Sequence, residues 1–316
     1  LPFNSVLFTE MDSDVPMEND FSRTCVIFNP VAKGDKARRF RGALGDLAGG
    51  CVFKPTTGPG AARGLAREAV EEGFEVVVAA GGDGTVNEVV NGIGNAEGGF
   101  ERVALGVIPL GTANVFAREL KIPLRVRSAW EVLRRGQVRR VDVVRAEYGV
   151  SGGRESRLFV QVAGAGLDAR AVELVDWGLK KRAGFLAYVV AGVKALGERH
   201  PELVVTGDGR EQRGELVLFG NGACYGGPFR LFPSAGLSDG KVGYRVFPRA
   251  SWGTALRVGG RLMVGRFGGV AGSVEGGARV VEVRSEGRVP VELDGDVVGE
   301  LPLRLEVMRG AVRVVA

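Results

Sequence analysis

The chain has 316 residues, 45% hydrophobic and 25% charged, a mix that excludes collagen-like, disordered and coiled-coil architectures and suits a folded protein of about two domains. Its longest apolar runs fall far below the roughly 20 residues of a membrane-spanning helix, so no transmembrane segment is expected. A net charge of +5 and a pI near 9.3 favour anionic partners such as nucleotides and phospholipid surfaces. Residues 1–22 lack the basic start and apolar core of a signal peptide and are read as a tail, a candidate for disorder. From Thr24 short apolar runs alternate with helical spacings. TCVIFN, CVFKP, EVVVAA and RVALGVIP read as strands; KARRFRGALGDLA, AARGLAREAVEEG, TVNEVVNGI and ANVFAREL read as helices. Continuous apolar strands separated by helices predict a parallel sheet buried on both faces.

After the helix SAWEVLRRG the texture changes. RRVDVVRAEY, RLFVQVAG, ELVVTGDG, GELVLFGNG, KVGYRVF, ARVVEVRS and VPVELDGD read as strands of a second, mostly antiparallel domain beginning near Val138. Helical stretches at 173–198 and around 251–267 interrupt it. Phe185, Tyr188, Val189 and Leu196 make a core-facing stripe on the first.

The composition also limits the chemistry. Cys25, Cys51 and Cys224 are odd in number and far apart, which fits neither a disulfide framework nor a zinc site and points to the cytoplasm. A lone histidine, His200, leaves acid–base chemistry to carboxylates. Few aromatics and the lack of a basic helix or finger pattern argue against nucleic acid.

The most informative junction is the run from Glu75 to Gly92, where a buried strand enters Gly81, Gly82, Asp83, Gly84 and Thr85 and passes straight into a helix. Glycines there allow close backbone approach, and the free amides of a helix start attract phosphate. Thr85 and Glu88 have capping-box spacing and could equally cap that helix. The spacing fits neither a Walker loop nor the dinucleotide fingerprint, which fails at Asn87. A second strand-to-helix junction, with Gly111 and Thr112, repeats the device at the same sheet edge.

GGDGTVNEVVNG at 81–92, PLGTANVFA at 109–117 and IFNPVAKG at 27–34 together resemble the catalytic domain of diacylglycerol kinase-type lipid kinases, a family that includes sphingosine kinases and bacterial lipid kinases. GNGACYGGPFRLFPSAGLSDGKVGYRVF and VELDGDVVGELP resemble its C-terminal half, so the likeness runs from Thr24 to Ala316. It implies an N-terminal Rossmann-like α/β nucleotide-binding domain over 23–137 and a C-terminal antiparallel β-sandwich over 138–316 that binds the lipid. The last strand is a candidate to return to the first domain, and the active site would lie in the interdomain cleft.

By the same resemblance, Asn29, Thr56, Gly81, Gly82, Asp83, Gly84, Thr85, Val86, Asn87 and Thr112 would contact ATP. Asp239 would organise Mg²⁺ with the carbonyls of Gly236 and Lys241. Asp296 stands where the family has a glutamate, the general base, and Asp294 is a second candidate. Val115 replaces an aspartate frequent in relatives, and Lys33 before Gly34 is a further departure. Gly164, Gly166 and Asp168 resemble a segment near the lipid headgroup or form a plain turn.

The implied activity is transfer of the γ-phosphate of ATP to a hydroxyl of a membrane lipid, by a cytoplasmic protein that visits the membrane surface and could form a homodimer. An NAD kinase, which resembles the Gly-Gly-Asp-Gly-Thr loop, and a regulatory nucleotide- or lipid-binding protein without turnover are the alternatives.

Overall fold

The structure is a computed structural model that describes residues 21–30, 38, 40, 42, 49–174, 195, 196, 198, 200–227, 229–263 and 272–316. The expectations placed on the tail before Phe21, on Lys33 and Gly34, on most of the helix 36–48 and on Phe185, Tyr188 and Val189 lie outside the described residues.

Strands β1 (Thr24–Phe28), β2 (Val52–Pro55), β3 (Val76–Gly81) and β4 (Ala104–Pro109) form a parallel sheet in the order β2-β1-β3-β4. All six residues of β3 and all six of β4 are buried, because helices cover both faces. The run of Val and Ala in β3 suits such a strand. Between the strands lie α1 (Ala61–Glu71), α2 (Asp83–Asn95) and the single turn α3 (Gly99–Arg102); α4 (Val115–Glu119) and α5 (Val126–Arg135) follow β4. Val86, Val89, Val90 and Ile93 of α2 pack with Val77, Ala79 and Leu105 on one face. Trp130 and Leu133 of α5 pack with Val26, Val78 and Ile108 on the other.

The second half is built from antiparallel strands. β5 (Val138–Val150), β6 (Gly153–Phe159) and β7 (Val162–Gly166) lead into α6 (Leu167–Glu173). Next come β8 (Leu203–Gly207), β9 (Arg210–Gly214) and β10 (Leu216–Gly220), the separate two-stranded pair β11 (Cys224–Tyr225) and β12 (Phe229–Arg230), and β13 (Val242–Phe247). Helix α7 (Trp252–Met263) precedes β14 (Val274–Ala278), β15 (Val280–Ser285), β16 (Pro290–Leu293) and β17 (Asp296–Val315).

Pairing runs β14-β13-β10-β7-β16-β17 through one layer and β9-β8-β15-β17-β5-β6 through the other, so β17 belongs to both. Val217, Phe219, Tyr244, Val246, Val291 and Leu293 meet Val144, Ala146, Leu203, Val281, Leu303 and Leu305 in one core between the layers. This is a β-sandwich held by period-2 burial, visible in β17 as Leu303, Leu305 and Val307 buried between partly exposed Arg304 and Glu306. The far end of β17 pairs in parallel with Ala104 and Leu105 of β4, joining the two halves into one hydrogen-bonded sheet. The polar strand β9 carries none of the apolar alternation that sequence patterning requires; β8 supplies its ladder.

Candidate active site

The loops after β1, β2, β3 and β4 leave the same carboxyl edge of the parallel sheet. Because β1 sits between β2 and β3, the chain diverges to opposite sides there, which is the topological switch point where open α/β sheets bind ligands. Asn29 and Thr112 are exposed and Thr56 is half-buried, its N–H donating to Phe28 O at 2.8 Å.

The two glycine loops touch. A Cβ on Gly111 would lie 2.6 Å from the Cα of Gly82, and one on Gly82 would lie 3.3 Å from the Cα of Gly111, so glycine at 111 lets the backbones close up and a side chain at 82 would crowd them. Asn114 fastens the second loop, accepting from Gly111 N–H at 2.9 Å and donating to Gly111 O at 2.7 Å. Gly82 is the N-cap of α2 and makes no side-chain cap. The Asp83 amide is taken by its own carboxylate, and the next amides of the first turn of α2, without a partner within the helix, face this loop.

Several side chains assigned from sequence to the nucleotide turn elsewhere. Val86 is core, 2% exposed. Asp83 Oδ1 accepts the Phe116 N–H at 3.2 Å at the start of α4. Burial pushes the Asp83 carboxyl above its ordinary range, and backbone amides around Phe116 pull the other way. Glu88 does not form a capping box with Thr85: its two oxygens accept from Gly60 N–H (2.9 Å) and Ala62 N–H (3.0 Å), capping α1 instead.

Asn87 links the two halves. Only 1% exposed, it donates from Nδ2 to Leu158 O at 3.0 Å and to Asp294 Oδ2 at 2.7 Å. Its Oδ1 accepts from Arg157 at 2.8 Å, and the same guanidinium nitrogen donates to Asp296 Oδ2 at 2.9 Å. Helix α2 is thus two hydrogen bonds from Asp296.

Asp294 and Gly295 form the two-residue turn between β16 and β17, both at positive φ (48° and 91°) as such hairpin turns demand. Asp294 Oδ1 accepts from Gln161 N–H (3.0 Å) and Val162 N–H (2.9 Å), and Oδ2 from Val160 N–H (2.8 Å) and Asn87. These four donors fill the roughly four lone-pair sites of a carboxylate. Burial raises the Asp294 pKa, while the amides of Val160, Val162 and Gln161 and the Asn87 side chain oppose that rise. Asp296 differs: its side chain is 60% exposed, and Arg157 is its ion-pair partner.

The Asp239 turn closes on itself, with Oδ2 accepting from Gly236 N–H (2.9 Å), Oδ1 from Lys241 N–H (2.8 Å) and Gly236 O from Asp239 N–H (3.2 Å). Each of these oxygens keeps a lone pair. Among the described residues no three His, Cys, Asp or Glu side chains converge on a metal position. One carboxylate with neighbouring carbonyls is an oxygen-only set that fits a Mg²⁺ ion keeping most of its waters, not a dedicated all-protein cage.

Arg157 and Asp142 escaped sequence reasoning. Asp142, 1% exposed, accepts from Gly240 N–H and Gly310 N–H, both at 2.7 Å, and so anchors the Asp239 turn to β17. A charge inside the run Val-Asp-Val-Val was its one available signal. Arg157, in the exposed-looking Glu-Ser-Arg, had none.

The comparisons agree with this architecture. Residues 23–146 match the Diacylglycerol kinase catalytic domain family, and residues 161–316 match the YegS C-terminal NAD kinase beta sandwich-like domain. A Bacillus subtilis protein named "Diacylglycerol kinase" is 33% identical over 78% of this chain and 79% of its own length. A Stenotrophomonas maltophilia protein named "Probable lipid kinase YegS-like" is 30% identical over 92% of this chain and 94% of its own. A crystal structure of a diacylglycerol kinase from Bacillus anthracis shares the fold, with TM-score 0.75 and 24% identity over 95% of this chain and 98% of that one. With glycine loops at the switch point, an Asp-Gly turn tied to them and both halves matched in order, the chain belongs to the diacylglycerol kinase-type lipid kinases and is itself a kinase.

Proposed function

We propose that this kinase transfers the γ-phosphoryl group of ATP to a hydroxyl of a membrane lipid of the diacylglycerol type. The observation that carries the reading is the short hydrogen-bonded path from the α2 helix through Asn87 and Arg157 to the exposed carboxylate of Asp296. Phosphoryl transfer needs donors around the phosphates and one acceptor for the proton of the attacking alcohol, and this path joins the two. The open amides at the start of α2 and the paired Gly82–Gly111 loops would hold phosphate oxygens.

Asp296 takes the proton from the lipid hydroxyl. Asp294 is unsuited to that task because its lone pairs are filled by fixed donors; it holds the turn that aims Asp296. Arg157 orients the Asp296 carboxylate, which is one methylene shorter than the family's glutamate. The oxygens of the Asp239 turn, with Gly236 and Lys241, would hold a hydrated Mg²⁺, which when bound supplies positive charge beside the phosphates. The names of the relatives support a lipid acceptor, and peripheral contact with the membrane follows from where such an acceptor resides. No helix among the described residues is long and apolar enough to cross a membrane.

The test is incubation of purified protein with labelled ATP, Mg²⁺ and a panel of lipids in mixed micelles, with NAD as a control acceptor. Labelled phosphate is expected in a diacylglycerol-type lipid and nowhere in NAD. Label in NAD alone would overturn the proposal.

A further inference from the structure

Among its described positions, helix α7 exposes large apolar side chains that a surface helix ordinarily buries. Its exposed described positions are 252, 253, 256, 257 and 260, a spacing that defines one stripe along the helix. That stripe reads Trp252, Gly253, Leu256, Arg257 and Gly260, with Trp252 51% and Leu256 73% exposed. On α5 the order is the normal one. Trp130 is 4% exposed, and the exposed residues are Arg127, Glu131, Arg134 and Arg135.

The charge around α7 is one-sided. Between Asp239 and Glu275 the sequence contains Lys241, Arg245, Arg249, Arg257, Arg261 and Arg266 and no acidic residue. Arg245 is used internally, bonding to Glu275, Ser273 and Leu231 O. Arg249 and Arg257 are exposed, and Arg257 Nε donates to Gly253 O at 2.9 Å, which lays its guanidinium along the stripe.

An apolar pair at i and i+4, flanked by the exposed arginines Arg249 and Arg257, matches an anionic bilayer: Trp and Leu enter the interfacial layer while Arg meets the headgroup phosphates. A second copy of this chain would bring the same positive charge to the same face and be repelled there. We propose that α7 is the surface by which this kinase docks on anionic membranes, with Trp252 and Leu256 inserted and Arg249 and Arg257 on the phosphates. The proposal deepens the lipid-kinase reading by naming the face that meets the bilayer, and rests on it for the need to meet one.

The experiment uses the full chain and vesicles of equal parts phosphatidylglycerol and phosphatidylcholine, with pure phosphatidylcholine vesicles as control. Wild type is expected to sediment with the mixed vesicles and much less with the neutral ones. The double variant Trp252→Ser, Leu256→Ser should bind the mixed vesicles on the order of tenfold more weakly, and Arg249→Gln with Arg257→Gln should lose the preference for anionic lipid. Tryptophan emission gives a second readout free of folding concerns, since the difference between wild type and Trp252→Phe isolates Trp252, and its signal should shift to the blue on mixed vesicles only.

Turnover of a short-chain soluble lipid without vesicles separates this proposal from the reading beneath it. Variants that keep soluble turnover but lose vesicle binding support docking through α7. Vesicle binding through α7 by a protein that phosphorylates no lipid would sink the kinase substrate reading and leave the docking face standing. Unchanged vesicle binding by the double variant overturns the docking proposal, as does loss of a dimer in its place.

Discussion

The glycine loop after β3 and the Asp-Gly turn before β17 each contain a partly buried aspartate, and the two turns present opposite chemistry. In both, the aspartate is an acceptor for backbone amides: Asp83 for Phe116, and Asp294 for Val160, Gln161 and Val162. Burial lifts both carboxyl groups above their usual range. Around Asp83, however, Gly82 supplies no side-chain cap to the first turn of α2, so beyond the Asp83 amide, which its own carboxylate takes, that loop offers donors. Around Asp294 the donors are consumed, and what the turn offers is the acceptor two residues on, the exposed Asp296. In the proposed mechanism the conspicuous aspartate of each glycine motif is scaffold, and the reactive surface lies beside it. Asn87 and Arg157 tie the donor side to the acceptor side.

The two turns should diverge most at Asp294. Asp294→Asn would set N–H donors against backbone N–H donors, and the melting curve should lose on the order of 3 kcal/mol or more of stability together with activity; an unchanged melting temperature would show the turn does not depend on it. Asp296→Asn should do the reverse, lowering kcat roughly 10²-fold or more while thermal stability stays within about 0.5 kcal/mol of wild type. Asp296→Glu should keep part of the rate, and wild-type kcat in the Asn variant would remove Asp296 from the chemistry.

On the donor side, Gly111→Ala places a Cβ 2.6 Å from the Cα of Gly82. That neighbour is backbone, and Asn114 Oδ1 lies 2.9 Å away, so the loops must part, and ATP affinity measured by calorimetry should fall about tenfold. Equal affinity would separate the loops from nucleotide binding. Glu88→Ala should cost about 1 kcal/mol by uncapping α1, with KM for ATP unchanged; a raised KM would give Glu88 a part in nucleotide binding.

The smallest effect belongs to Gly84, whose Cβ would meet nothing within 4 Å. In Gly84→Ala the helix should gain roughly 0.5–1 kcal/mol. A rise in KM for ATP would sharpen the assignment of this loop to phosphate, and an unchanged KM would place the phosphates farther along the edge.

Much of this was decided locally and can be read in the chain itself. The Val-rich runs of β3 and β4, the helix after Gly82 and the Asp-Gly hairpin are each set by a handful of neighbouring residues, through burial period and turn chemistry. The ordered motifs from Thr24 to Ala316 were enough to indicate the family. The division of labour among the carboxylates was not legible, because Asp294 and Asp296 stand two residues apart with the same chemistry. Which one is filled depends on amides at 160–162, about 130 positions away in the chain.

For the same reason Glu88 caps a helix 28 residues before it in place of its own, and Arg157 reaches Asp296 across 139 residues. The 20 residues of β17 serve two layers of the sandwich and then the parallel sheet. Local sequence specifies which way a backbone turns and what it can bury. Which donor fills which acceptor is settled only when distant strands come into register, and here that settles where the chemistry can occur.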